Sequence, residues 1–297
     1  MILSDKNLKK LITEALVIEA EDAQETGEVG FMARALVQAT MPHKKPQSNE
    51  FKRSNGIYTI TMLASSDIGL PYGSIPRLIL AWLTTEAVRT KERELILGNS
   101  MSDFMRQLSL VPVGGKWGSI AQLKSQAYRL FSCSIHCNNL SNDDNSVAQN
   151  DVILNLNVVE KAELWWKAKL PGQSSLFNST VTLNQPFFEE IIDRPVPIDM
   201  RALHLLKKSP LAIDIYTWLT YRMSYLKQPT EILWSGLQVQ FGADYPYTPQ
   251  GTRNFKKKFL MQLKKVLTVY PEARAREGIN GLVLLPSKTH IKPKLIK

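Results

Sequence analysis

The sequence predicts an α+β fold built from two tandem copies of one helix-and-hairpin unit. Three observations predict it. The order helix, short strand, helix, turn, helix, extended segments occurs twice. The two occurrences superimpose without a gap at a constant offset of 136 residues, which sets Ile79 on Ile215. The length of 297 residues suits two domains of roughly 100–200 residues, each able to bury a core.

In chain order, residues 6–21 carry the apolar spacing of an amphipathic helix. Residues 26–30 break it, and 31–38 read as a second short helix before a polar loop over 42–55. Residues 57–63 alternate as a strand does. Pro76 opens a long helix to about residue 90, because proline is tolerated in a first turn. Residues 95–97 form a short apolar strand, and 100–108 a helix with Ser100 as N-cap and Asp103 at the third position. Gly114 and Gly115 break the chain before a helix over 117–131, which runs into strand-like 132–137. Residues 141–150 are a polar loop tip, and 152–159, 163–168 and 176–183 read as further strands.

The second half gives a long helix over 210–226, a strand over 231–234 and a helix over 235–241. A Pro/Gly/Tyr loop over 242–250 leads to a long helix over 252–269. Residues 272–286 form a hairpin around Ile279-Asn280-Gly281, Asn-Gly being the strongest short hairpin signal.

The offset sets Trp82-Leu83-Thr84 on Trp218-Leu219-Thr220, Lys91 on Lys227, Ile96-Leu97 on Ile232-Leu233 and Gly115 on Gly251. Ala127, Leu130 and Phe131 fall on apolar Leu263, Val266 and Leu267, and similarity at a fixed period signals repeated units. The element order is that of a winged helix-turn-helix, whose third helix enters the DNA major groove and whose wing touches backbone or minor groove. The expected architecture is two tandem winged-helix (winged helix-turn-helix) domains related by an internal repeat. The first, 1–193, has extra N-terminal helices and an enlarged β-wing; the second, 194–297, is basic and binds DNA, with the division near residues 193–197.

Charge separates the two halves. The chain has 37 Lys+Arg against 27 Asp+Glu, a net charge of +10. Residues 251–297 hold 12 basic and 2 acidic residues, so they carry the whole excess. A neutral body with a cationic end fits a polyanion. The competing reading, a lysine-rich end that only aids solubility, is weakened because 6 of those charges lie in one helix. The longest apolar stretch, residues 78–83, is far too short to span a membrane. The opening MILSDKNLKK lacks a basic-then-apolar leader, and 2 cysteines suit a reducing compartment. A cytoplasmic protein without membrane contact is expected.

On the helix over 252–269, Phe255, Phe259, Leu263 and Val266 form one stripe, with Leu260 and Leu267 at its edge. Arg253, Asn254, Lys257, Lys258, Met261, Lys264 and Lys265 fall opposite. Lysines suit phosphates, whereas Arg253 and Asn254 can read guanine and adenine edges bidentately. Lys256, Arg274 and Arg276 complete the cationic set. The equivalent first-half helix offers Lys116, Trp117, Ser119, Gln122, Lys124, Ser125, Gln126 and Arg129. That face is compatible with base reading, a plain solvent surface or a dimer contact; Lys116, Ser119, Gln122 and Lys124 are its DNA candidates.

Cys133-x2-His136-Cys137 invites a metal reading, but no second Cys/His pair completes four ligands. Buried core cysteines are expected, and neither a metal nor a cofactor. His43, His136, His204 and His290 are scattered, and no phosphate loop, Gly-x-Ser-x-Gly or His-Glu-x2-His appears. Adjacent Glu189-Glu190 diverge on a helix and Asp143-Asp144 lie in a polar loop. No catalytic constellation converges, so no enzyme, and in particular no nuclease or relaxase, is expected.

The string Gly69-Leu-Pro-Tyr-Gly-Ser-Ile-Pro-Arg77, continuing Leu78-Ile-Leu-Ala-Trp-Leu-Thr-Thr-Glu-Ala-Val-Arg89-Thr90, resembles the plasmid-encoded RepA family of replication initiators. So do Ser102-Asp-Phe-Met-Arg106, Gly114-Gly115 with Gly118-Ser-Ile120, Arg129-Leu-Phe131, Met32-Ala-Arg-Ala-Leu-Val-Gln-Ala-Thr-Met-Pro-His43 and Asn55-Gly56. Leu108-Ser109 and Val113-Gly114-Gly115 depart from the Leu-Gly and Thr-Gly-Gly of that pattern. The resemblance implies a non-enzymatic protein that binds repeats in double-stranded DNA at a plasmid origin, helps open the duplex and recruits host replication proteins such as a helicase or initiator. It further implies a possible homodimer that represses its own gene. The alternative is a winged-helix transcriptional repressor or partition-type DNA-binding protein without initiator activity.

Overall fold

The computed structural model describes residues 5–56, 58–139, 152–164 and 179–292. It is a mixed α/β fold, 44% helix and 20% strand. Helix α1 (Asp5–Ala20), strand β1 (Val29–Met32), helix α2 (Arg34–Gln38) and strands β2 (Glu50–Ser54) and β3 (Tyr58–Leu63) precede the first of two central helices, α3 (Ser74–Thr90). Strand β4 (Glu94–Ile96), helices α4 (Met101–Gln107) and α5 (Ser119–Phe131), and strands β5 (Ser134–Asn139), β6 (Val152–Asn155), β7 (Val159–Glu163) and β8 (Thr180–Leu183) complete the first half. Helix α6 (Gln185–Asp193), strand β9 (Val196–Asp199) and helix α7 (Met200–Leu206) lead to the second central helix, α8 (Pro210–Met223). Strand β10 (Thr230–Leu233), helices α9 (Trp234–Phe241) and α10 (Pro249–Val269), and strands β11 (Arg274–Glu277) and β12 (Gly281–Leu285) follow.

The central helices are buried on every side, over residues 76–84 of α3 and 211–220 of α8. Such helices are apolar on most faces, the charged exceptions Arg77 and Asp214 pairing with one another where the two helices pack. Each leads into a three-stranded antiparallel sheet of matching order, β4-β8-β7 and β10-β12-β11. Each also carries a buried tryptophan set edge-on against a phenylalanine of the next helix. Trp82 meets Phe104 of α4 at 5.2 Å, and Trp218 meets Phe241 of α9 at 5.5 Å. Such T-shaped pairs are favourable beyond their buried area.

Two further sheets tie the chain together. The order β2-β3-β5-β6 forms one, with Ile60, Met62, Ile135 and Cys137 turned to the core. The other pairs β1 with β9 antiparallel, Met32 opposite Val196. Helix α1 packs on α10 and α7, so the chain's first helix lies on the second half.

Several elements differ from the sequence expectation. Residues 31–38 are not one helix: Phe31 and Met32 belong to β1, whose partner β9 is remote in sequence. The loop expected over 42–55 contains β2, a polar edge strand whose Arg53 is buried and donates to the Val239 carbonyl of α9 at 2.8 Å. The strand expected over 152–159 is two strands in different sheets, β6 and β7. It breaks at Asn157, whose Oδ1 accepts from the Ile135 N–H at 2.9 Å. Of the strand expected over 163–168 only Glu163 belongs to β7; residues 165–168 and the loop tip 141–150 lie outside the described residues. Helices α6 and α7 and strand β9 had no counterpart in the expectation.

The motif from Gly69 to Arg77 is an inter-half joint. Gly69 and Gly73 take φ of 74° and 79°, the left-handed region that glycine tolerates without a Cβ clash. The Tyr72 N–H donates to Gln126 Oε1 at 2.9 Å, and Arg129 Nη1 donates to the Leu70 carbonyl at 3.2 Å. Arg77, 1% exposed, places all five donors. Nε and Nη2 grip Asp214 of α8 at 2.6 and 2.7 Å, and the remainder go to the carbonyls of Met41, Pro42 and Gly73. His43 Nε2 meets the same carboxylate at 2.7 Å. Burial pushes the Asp214 carboxyl up, but Arg77 and His43 outweigh it and hold it below its ordinary range. Burial holds His43 down despite that carboxylate.

Candidate nucleic-acid interface

Helix α10 begins at Pro249, with Thr248 Oγ1 accepting from the Gly251 N–H at 3.1 Å. Proline suits that first position because its missing N–H would have had no partner there. The helix thus starts three residues before Thr252, and Arg253 and Asn254 sit in its second turn. Phe255, Phe259, Leu263 and Val266 are buried, Phe255 against Tyr245 and Phe259 against Trp234 and Phe241. That docking leaves Arg253, Asn254, Lys257, Lys258 and Lys264 exposed. Met261 lies half-buried among them.

Two of the expected cations stand at the edges of this face. Lys256 pairs with Glu277 at 2.7 Å and lies 5.1 Å from the Trp234 ring, so it pins the hairpin to α10. Lys265 is half-buried, its amine lowered by burial and then by the charge of Lys258. Asn254 Oδ1 accepts from Gln250 Nε2 at 3.0 Å. Gln250, exposed in the first turn, is a polar contact that the sequence reading missed because it placed the helix start too late.

On the hairpin, Arg274 and Arg276 alternate to one exposed side of β11, paired in register with Leu285 and Val283. Its tip carries Ile279, 93% exposed. Helix and hairpin together present Arg253, Lys257, Lys258, Lys264, Arg274 and Arg276 to solvent, the charge density that a phosphate backbone requires.

The first half presents a different surface. Helix α5 starts at Ser119, not at 117, and Gly118 is its cap. Ser119 Oγ donates to the Val111 carbonyl at 2.6 Å and accepts from the Val113 N–H at 2.9 Å, so it closes its own loop. Gln122 is exposed and donates to the Trp117 carbonyl at 3.1 Å. Lys116 lies 5.3 Å from the ring of Trp117, which is 82% exposed. Lys124 is half-buried.

Cys133, His136 and Cys137 lie in and just before β5. Burial raises the thiols of Cys133 and Cys137 to about 12, and both are free and buried. His136 Nδ1 meets Asn155 Oδ1 at 2.6 Å instead of a metal partner. Among the described residues no three His, Cys, Asp or Glu side chains are grouped to hold a metal ion. No helix among them is long and apolar enough to cross a membrane.

A family model described as plasmid encoded RepA protein matches residues 70–234. No curated protein sequence matches the chain. The fold resembles the crystal structure of domain 2 and domain 3 of RctB, at 12% identity and a TM-score of 0.55, over 87% of this chain and 99% of that one. A second structure of RctB domains 2-3 aligns at 12% identity and a TM-score of 0.47, over 84% of this chain and 94% of that one.

Proposed function

The chain belongs to the plasmid-encoded RepA family, and on that premise we propose that it is a replication initiator that binds double-stranded DNA at plasmid origin repeats. In this reading the two halves are tandem winged-helix domains, supported by their matching sheet orders and paired tryptophans. The observation that carries DNA binding is the exposed cationic face of α10 beside Arg274 and Arg276. Helix α10 lies in the major groove, and the β11–β12 hairpin tracks the adjacent backbone or minor groove. Gln250, Arg253 and Asn254 read bases near the start of α10, and the lysines meet phosphates. The first half supplies a second contact through Lys116 and Gln122, a dimer contact, or both.

The protein acts in the cytoplasm without catalysing a reaction. It helps open the duplex, draws in host replication proteins and represses its own gene as a dimer. A plasmid carrying this gene and its flanking DNA alone tests the proposal. Autonomous replication, together with a footprint on that flanking DNA, is expected. A footprint without replication makes the protein a repressor or partition factor; no footprint removes the DNA reading altogether.

A further inference from the structure

We propose that the cleft between α1, α7 and α10 binds a small phosphate-bearing anion of the di- or polyphosphate class. The cleft has a volume of about 380 Å³ and is lined by Lys10, Lys207, Lys208 and Lys265, with Glu14 its one carboxylate. Glu14 pairs with Lys10 at 3.7 Å, which leaves the other three lysines without an ion-pair partner among the described residues. Lys207 donates only to the Ser109 carbonyl.

A second, independent feature points the same way. His204, also in the wall, meets the Ser109 hydroxyl through Nδ1 at 2.9 Å, while its Nε2 is buried with no partner. When the hydroxyl donates to Nδ1 the ring proton sits on Nε2, a donor then lacking an acceptor; in the opposite tautomer Nε2 is an unpaired acceptor. It is one of nine such buried side-chain atoms among the described residues, and the one whose residue lines this cleft. Burial and then the charge of Lys208 lower the Lys207 amine, and Glu14 offsets this only in part.

The wall therefore sets four lysine amines against one carboxylate, the complement of a group rich in anionic oxygens. Leu11, Leu206 and Ala212 supply an apolar side, and among the described residues His204 is the only ring lining the cleft. Nothing there stacks on a nucleobase, so the phosphate chain is what is recognised. Lys265 lies roughly 120° round α10 from Arg253, to one side of the proposed base-reading edge. An anion held between α1 and α10 fastens the first helix of the chain to the DNA-binding half.

The test uses the full chain in calorimetry and thermal melts with pyrophosphate and with a nucleoside triphosphate, at ionic strength matched with chloride. Duplex DNA is titrated in parallel. Saturable binding and a rise in Tm are expected, with affinity about tenfold weaker in a K208A/K265A double variant and unchanged in R253A. The proposal is overturned if neither anion binds saturably, or if the double variant binds as well as the parent. It is equally overturned if the double variant weakens only DNA, since these lysines then belong to the DNA track. Failure to bind DNA with anion binding intact would instead remove the proposed function and leave this site standing.

Discussion

Helices α5 and α10 hold the same place in the element order of their halves, yet their exposed faces have little in common. Helix α10 buries its aromatic stripe and turns Arg253, Lys257, Lys258 and Lys264 outward. Helix α5 turns Ser119 and Gln122 back onto its own loop and leaves Trp117 in solvent. Packing is what the halves share: Trp82 and Trp218 each meet a phenylalanine of the next helix, Phe104 and Phe241, while the outward residues diverge. Core contacts are constrained by close packing, so two similar cores tolerate few changes. Surfaces are free to differ, and in the proposed reading one half meets a polyanion while the other has few charges to offer.

The largest effect that can break this contrast is ionic. Six cations on α10 and β11 without an ion-pair partner among the described residues predict a log–log salt slope near −5, so duplex affinity should fall by about three orders of magnitude between about 50 and 200 mM salt. A K257A/K258A/K264A variant should reduce the slope by about three, whereas K116A should change it by one at most. Filter binding across a salt series decides; a slope shallower than about −2 would mean that the α10 face does not meet phosphates.

The halves are contrasted but not independent, because Arg77 of α3 is buried on Asp214 of α8. Replacing Arg77 by Ala leaves that carboxylate without its cation and should cost about 3–5 kcal/mol in urea unfolding. A cost under about 1 kcal/mol would show that the joint is not a shared structural element.

Acid should separate the junction from the DNA face. Burial lowers His204 to about 4, and also lowers His43 and His290. The unfolded chain takes up these protons below about 6.5 while the folded chain does not, so stability must fall as pH drops from about 6.5 toward 4. His204 alone accounts for about 3 kcal/mol, and H204Q should flatten the profile over that window. A pH-independent stability would contradict the burial of these rings.

Within α10, Arg253→Ala should cost about 1–3 kcal/mol on the matched site and relax preference at one base pair. Binding to matched and single-mismatch duplexes is the measurement. Equal weakening on every sequence would reduce Arg253 to a phosphate contact.

The central helices, the N-cap at Ser100 and the Asn-Gly hairpin were legible because their signals are local. Ser100 Oγ does accept from the Asp103 N–H, at 3.1 Å. Strands β1, β2 and β9 were not, because their partners are remote or their side chains polar. Ser109, where the family pattern has glycine, takes a left-handed φ of 53°. That departure was visible in the sequence, but its hydrogen bond to His204 was not. The cationic stripe of α10 followed from 3.6-residue periodicity, whereas the withdrawal of Lys256 to Glu277 and Trp234 depends on a tertiary contact that periodicity cannot carry.

The smallest expected effect bears most directly on the two third helices. Ser119 was a DNA candidate by its place at the start of α5, the counterpart of the proposed base-reading edge of α10. Its hydroxyl is instead spent twice within the 111–119 loop, on the Val111 carbonyl and the Val113 N–H. Replacing it by Ala removes both bonds in a half-exposed setting, where a hydrogen bond is worth about 0.5–1.5 kcal/mol. Stability should therefore fall by about 1 kcal/mol, with duplex affinity per folded molecule unchanged. Denaturant melts and binding isotherms on the same preparation separate the two outcomes. If affinity falls while stability holds, Ser119 faces DNA, and α5 is a second reading helix rather than a structural counterpart of the first.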